Sequence, residues 1–152
     1  MKVDTTINIS TDLIELLERA VFLTGKSKSI IISLLMVHLA ECHDWDVGVW
    51  KRVRYQARNE RGKYRRIHIY LKDQEYELFI DLRKFCKQSV SRLVACAIQQ
   101  YLDKIIADMQ GKTDDYPSIS YLMEKVIKDG ATCWILTWGI SSKQVNRGPC
   151  IT

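Results

Sequence analysis

The fold is decided by one alternating stretch, Arg65-Arg66-Ile67-His68-Ile69-Tyr70-Leu71. Polar and apolar side chains alternate along it with a period of two, as the two faces of a β-strand do. The pattern predicts an inner face of Ile67, Ile69 and Leu71 and an outer face of Arg66, His68 and Tyr70. One face of such a strand can enter a core while the other contacts a polar partner.

A weaker copy of this strand, Thr5-Thr6-Ile7-Asn8-Ile9, lies near the N-terminus. Ser10, Thr11 or Asp12 can cap the helix that follows, and Gly25 is placed to end it. The helix carries an apolar stripe that we expect to face inward, made of Leu13, Leu16, Leu17, Ala20 and Leu23. A second helix beginning at Ser27 or Ser29 is apolar nearly all round, so it must be buried on most sides.

The strand and both helices recur in the second half of the chain, at one constant offset and without a gap. The repeat aligns Ile7 with Ile69, Ile9 with Leu71, Leu17 with Phe79, Leu23 with Phe85, Ser27 with Ser89, Ser29 with Ser91 and Ile31 with Leu93. Two units that each leave the last helix uncovered can bury both helices against one another. The repeat therefore predicts two intertwined units whose strands pair antiparallel.

This arrangement resembles the ribbon-helix-helix fold of the Arc/MetJ superfamily, over about residues 3–40 and 64–106. The resemblance rests on the alternating strand, the stripe of the first helix, and the turn Gly25-Lys26-Ser27-Lys28-Ser29-Ile30-Ile31-Ile32-Ser33. It implies a mainly α fold with a short antiparallel β-ribbon, in which two tandem units form an intramolecular pseudo-dimer. The second turn departs from the pattern because Lys87 replaces the glycine, at a cost of about 1 kcal/mol if the backbone is left-handed there, so that turn can differ.

The sequence divides into four expected segments: a first unit over 1–41, a basic connector over 42–63, a second unit over 64–110 and an extension over 111–152. In the connector, residues 50–57 alternate weakly and could pair with residues 65–71, in competition with the N-terminal strand. In the extension, residues 116–129 predict a short amphipathic helix ended by Gly130, and residues 132–138 predict a strand. We expect this helix-strand extension to pack on the core or on another copy.

The resemblance gives roles to the outer face of the ribbon and to the starts of the second helices. It implies base contacts in the major groove of double-stranded DNA by Thr6, Asn8, Arg66, His68 and Tyr70. It implies phosphate contacts by Lys26, Ser27, Lys28, Ser29, Ser89, Ser91 and Arg92, because helix N-termini attract anions. His68 and Tyr70 are bulky and could instead cover part of the connector, and the serines could act only as helix caps.

Charge favours a polyanionic partner. The net charge is +5 and the pI about 9.0, and residues 51–72 hold nine Lys and Arg against the single acid Glu60. That segment carries +8 while the rest of the chain sums to −3. The connector cations would add a salt-sensitive attraction that is independent of sequence.

Other chemistry has little support. The five cysteines show no CxxC spacing, and Cys42-His43-Asp44 lacks the spacing of a tetrahedral site, so we expect reduced thiols and neither metal nor cofactor. Cys86 and Cys96 occupy inward helical positions. No nucleophile–base pattern or phosphate-binding glycine loop predicts an enzyme. Without a signal peptide or a long apolar run, we expect a cytoplasmic chain and no membrane contact.

Two functions remain open. The first is sequence-specific DNA binding, in a transcriptional repressor or a plasmid DNA-organising protein, where unlike half-ribbons would favour a non-palindromic site. The second is an antitoxin-like interaction module, which would bind a protein partner or a second copy through the extension, with DNA binding secondary or lost.

Overall fold

The structure is a computed structural model that describes residues 2–42, 52–56, 63–110 and 121–138. It contains four helices and two small antiparallel sheets of two strands each in these ranges. The chain divides into two compact units, Met1–Gly111 and Lys112–Thr152. In chain order the elements are β1 (Lys2–Ser10), α1 (Thr11–Thr24), α2 (Lys28–Cys42), β2 (Tyr64–Lys72), α3 (Asp73–Cys86), α4 (Val90–Gln110), β3 (Tyr121–Lys128) and β4 (Ala131–Trp138).

Strands β1 and β2 form the predicted antiparallel ribbon. Thr6 lies opposite His68, Asn8 opposite Arg66 and Ile7 opposite Ile67. The inner side chains Ile7, Ile9, Ile67, Ile69 and Leu71 are all buried. The expected alternation is therefore confirmed in both strands.

The connector does not take β2 away from β1 in the part that the structure describes. Arg54 instead makes a single parallel bridge to Gln88, in the turn between α3 and α4. Of the competing stretch, Trp50, Lys51 and Ala57 lie outside the described residues.

Helix α2 supplies the centre of the core. Seven consecutive side chains, residues 31–37, are buried, as its uniform apolarity predicts. It packs against α4, α1, β2 and α3. The cover for this helix therefore comes from both halves of the repeat.

Helix α1 buries a slightly different face from the expected one. Leu13, Leu17 and Ala20 are buried, but Leu16 and Leu23 are 44% and 37% exposed, and Ile14 is buried in their place. The reason is that α1 packs against both α2 and α4. The buried stripe is turned toward the Ile14 side of the helix to meet both neighbours.

The two helix–helix turns make the same hydrogen bonds at equivalent positions of the two repeats. Gly25 N–H donates to Val21 O and Lys87 N–H to Arg83 O; Ile31 N–H donates to Ser27 O and Leu93 N–H to Ser89 O. Lys87 takes the left-handed backbone of Gly25, with φ 54° and ψ 48° against φ 71° and ψ 9°. The missing glycine does not change the turn.

The extension contains a β-hairpin in place of the predicted helix and strand. β4 confirms the strand, but residues 121–128 of the expected helix form β3, which pairs with β4 so that Lys128 lies opposite Ala131. Asp129 and Gly130 both have positive φ, 52° and 80°, as a two-residue type I′ turn requires. The residue interpreted as a helix stop is therefore part of a hairpin turn.

Among the described residues, no single helix is both long and apolar enough to cross a bilayer. Helices α1 and α2 pass that test only when taken together, and they meet at a bend of 104°.

The left-handed Lys87 gives a stability prediction. Lys87→Gly should raise the free energy of unfolding by about 0.5–1 kcal/mol, because glycine removes a Cβ strain of about 1–2 kcal/mol but has a more flexible unfolded state. Lys84→Gly, in the last turn of α3, should lower it by a similar amount. Urea denaturation monitored by circular dichroism measures both, and equal shifts in the same direction would contradict the strain argument.

Candidate nucleic-acid interface

The outer face of the ribbon brings together every residue predicted to contact bases. Together with Asp4, these five side chains form an exposed two-by-three array in which Thr6 and His68 are central and Asn8 and Arg66 lie at one end. Asp4 and Tyr70 form the other end. Tyr70 is 56% exposed and the His68 side chain 62% exposed, so neither is covered by the described part of the connector.

The alternation continues beyond the predicted residues. Lys2 and Lys72 lie opposite each other on the same exposed face. Asp4 also belongs to it, and its Oδ1 lies 3.3 Å from His68 Nδ1. Extending the period-two pattern further along each strand would have found all three residues.

Each ribbon strand is tied to the first turn of a helix from the other repeat. Asn8 N–H in β1 donates to the hydroxyl of Ser91 in α4, at 3.0 Å. Tyr70 N–H in β2 donates to the hydroxyl of Ser29 in α2, at 2.8 Å. Asn8 and Tyr70 are equivalent in the repeat, as are Ser29 and Ser91, so one contact is made twice. It holds the N-termini of α2 and α4 beside the two edges of the ribbon.

The serines that precede these two in the chain act as helix caps. Ser27 Oγ accepts from Ile30 N–H at 3.3 Å, and Ser89 Oγ accepts from Arg92 N–H at 3.2 Å. Capping of this kind satisfies one of the free N–H groups at a helix start. The cap hydroxyls are thus engaged within the protein, and an incoming phosphate would meet backbone N–H groups and nearby cations.

A short piece of the connector, residues 52–56, lies across the α3–α4 turn. We call this piece the strap. Arg54 N–H donates to Lys87 O, and Ser89 N–H donates to Arg54 O, both at 2.8 Å. The Arg54 guanidinium donates to the carbonyls of Lys87 and Cys86, at 3.4 and 3.3 Å. The strap is therefore bound to the turn that leads into α4.

The strap also engages a predicted phosphate contact. Arg92 Nη1 donates to Tyr55 O at 2.9 Å and Arg92 Nε donates to Gln88 Oε1 at 3.2 Å. Gln56 Nε2 donates to Asn8 O at 2.6 Å and so links the strap to the ribbon. Ser89 is buried, and Ser91 and Arg92 are half-buried. At α4, then, the residues expected to bind phosphate are engaged within the protein: the strap binds Ser89 N–H and Arg92, and the ribbon binds Ser91.

The N-terminus of α2 is more open. Lys26 and Ser27 are exposed, and Lys28 Nζ lies 3.6 Å from Glu18 Oε1, which Arg65 Nη2 also approaches at 3.6 Å. Ion pairs this exposed contribute about 0–1 kcal/mol, so a phosphate can replace Glu18 as the partner of either cation at little cost. The two helix N-termini thus differ in accessibility although their turns are alike.

The cysteines near the strap are structural in character. Burial raises the pKa of the Cys86 thiol, and the Arg54 guanidinium opposes that rise. Burial also raises the pKa of Cys96, opposed by Arg92. Thiols with a raised pKa are poor nucleophiles and metal ligands at neutral pH. Cys86 is buried and Cys96 half-buried, in line with their inward helical positions, whereas the Cys42 side chain and residues 43–44 lie outside the described residues.

The strap gives a second prediction. Arg54→Ala removes two guanidinium hydrogen bonds to carbonyls and should lower the free energy of unfolding by about 1–3 kcal/mol. Arg52→Ala, an exposed cation of the same strap, is the matched control and should change stability by less than about 0.5 kcal/mol. Equal effects in urea denaturation would mean that Arg54 does not fasten the strap.

No protein-family model, no curated protein and no solved structure matches this chain. The likeness to ribbon-helix-helix proteins therefore stays a prediction from sequence.

Proposed function

We propose that this protein binds double-stranded DNA sequence-specifically, with the β1–β2 ribbon in the major groove, as a transcriptional repressor or a plasmid DNA-organising protein. One observation carries the proposal. The β1–β2 register presents Thr6, Asn8, Arg66, His68 and Tyr70 together on one exposed face. A two-stranded ribbon has the dimensions of the major groove.

The side chains of this face suit base recognition. Arginine can donate two hydrogen bonds to guanine O6 and N7, and asparagine can bind adenine N6 and N7 in the same bidentate way. Arg66 and Asn8 lie opposite each other, so they would read neighbouring positions. Thr6 at the centre can offer a hydroxyl to a base edge or its methyl group to a thymine.

We further propose that the two repeats form a single-chain pseudo-dimer. Two features support this. Thr6 and His68, which are equivalent in the repeat, face each other across the ribbon, as the residues on a two-fold axis would. The bonds from Asn8 to Ser91 and from Tyr70 to Ser29 are one contact exchanged between the repeats. Both are expected of two intertwined units.

Phosphate contacts would then anchor the ribbon in the groove. Helix N-termini bind phosphate through free N–H groups and a partial positive charge. At α2, Lys26, Ser27 and Lys28 fit this role, with Ser29 fixed to the ribbon. At α4 the strap engages Ser89 N–H and the Arg92 guanidinium, and the Ser91 hydroxyl is bound to the ribbon, so the exposed Arg52 of the strap would supply the attraction on that side.

The ribbon assignment gives a direct test by electrophoretic mobility shift. Asn8→Ala and Arg66→Ala should each weaken binding to a selected duplex by about 1–3 kcal/mol, or roughly 5- to 150-fold. Asn8→Ala, which removes no charge, should also leave the affinity for a random duplex nearly unchanged. Lys104→Ala, an exposed cation of α4, controls for loss of charge. If both ribbon variants keep full preference for the selected duplex, the ribbon does not read bases.

The alternative is an antitoxin-like module that binds a protein partner or a second copy through the extension. One observation favours it: the β3–β4 hairpin exposes Leu122, Ile127 and Ile135 by 49%, 64% and 47%. A two-stranded hairpin is marginally stable alone in water. Leu122 and Ile135 share one face of it, and a partner surface on that face would cover both.

Deletion of residues 112–152 separates the two functions. If DNA binding is primary, the remaining chain should fold cooperatively and keep its affinity for the selected duplex nearly unchanged, because all the residues proposed to contact DNA remain. If the truncated chain stays folded but loses its affinity for the duplex, the ribbon and helix N-termini are not sufficient for DNA binding and the first function is wrong as stated. Mobility-shift titrations at several salt concentrations measure the affinity and its salt slope together.

A further inference from the structure

One acidic side chain lies on the ribbon face among neutral and basic ones. Asp4 is exposed in β1, where its Cα faces Tyr70. A carboxylate repels phosphate and therefore weakens sequence-independent DNA binding. It has a favourable use in the major groove, as an acceptor for the N4 amino group of cytosine.

The position of Asp4 in the repeat is as informative as its charge. The register centres the ribbon on Thr6 and His68, and Asp4 and Arg66 lie equally far from that centre on opposite strands. Asp4 and Arg66 are themselves equivalent positions of the two repeats. The repeat thus matches a cation at one end of the ribbon with an anion at the other.

His68 restrains the carboxylate. His68 and Asp4 belong to neighbouring cross-strand pairs and contact each other diagonally across the ribbon, with His68 Nδ1 3.3 Å from Asp4 Oδ1. With one oxygen bound to the imidazole, the other oxygen of Asp4 is left for a base. The two side chains are 62% and 56% exposed, so the pair contributes little stability and leaves Asp4 accessible from the groove side of the ribbon.

We propose that Asp4 is a specificity-determining residue that accepts a hydrogen bond from cytosine N4, at the half-site position where Arg66 binds guanine in the other half. The inference rests on the DNA-reading function proposed above and names what one half of the ribbon recognises. It also fixes the orientation of the chain on its site, because the two halves cannot exchange places.

The consequence for the DNA sequence is specific. A ribbon with arginine at both positions would bind a guanine on one DNA strand in the first half-site and a guanine on the other DNA strand in the second, as in a palindrome. Asp4 would instead bind a cytosine on that other strand. The guanine paired with this cytosine then lies on the same strand as the guanine bound by Arg66. The preferred site therefore carries its two G·C pairs in the same orientation, one in each half.

The test uses the full chain and duplexes selected from a random pool. The wild-type protein is titrated against the selected duplex and against a duplex in which the G·C pair on the Asp4 side is inverted. We expect the wild type to prefer the selected duplex by roughly 5- to 150-fold, the range of one good base contact. Asp4→Arg should reverse the preference in favour of the inverted, palindromic pair, and Asp4→Asn should abolish the wild-type preference.

Asp103→Arg makes the same charge change at an exposed position in the middle of α4, and it should leave the ratio between the two duplexes unchanged. Circular dichroism and urea denaturation verify that Asp4→Arg is folded. If Asp4→Arg tightens binding to both duplexes equally, Asp4 acts through its charge alone and the inference is wrong. In that case, a loss of specificity in Arg66→Ala would still support base reading by the ribbon. If the wild type selects no sequence at all, the proposed function fails and this inference fails with it.

Discussion

A helix that is buried all round is the constraint on which the rest of this structure depends. Seven consecutive side chains of α2, residues 31–37, are buried. Burying one Leu or Ile is worth about 1.5–3 kcal/mol, and no single partner can cover every side of a helix. The first repeat supplies α1, while the second supplies α4, α3 and β2. The first repeat therefore has no complete core until the second has folded around it.

The ribbon depends on that shared core. A two-stranded sheet is marginal alone, but here its inner face is buried, and the hydroxyls of Ser29 and Ser91 hold its strands against the helix starts. The outer face can then stay polar and exposed without loss of order. A surface fixed in this way would lose little conformational entropy on binding a partner. Within the described part of the chain, the two helix starts differ: the strap binds the turn before α4, whereas Lys26 and Ser27 before α2 are exposed.

Sequence alone predicted the ribbon and missed the hairpin, for related physical reasons. In residues 65–71 the alternation separates polar from apolar side chains cleanly, and the internal repeat identifies its partner strand. In β3, Leu122 and Val126 share a face with Glu124, so the alternation is poor and the helical spacing matched better. The turn was the informative feature, since Asp-Gly is a strong hairpin signal. Arg54 had no local signal, because the carbonyls that it binds, those of Cys86 and Lys87, are distant from it in the chain.

Both strands of the ribbon belong to one polypeptide, and this has a consequence for how much protein is needed. A ribbon built from two chains comes apart on dilution, by mass action. A tethered strand instead meets its partner at an effective concentration set by the tether, of the order of millimolar for a short flexible one. The fraction of molecules with an assembled ribbon is then the same at a few copies per cell as at thousands.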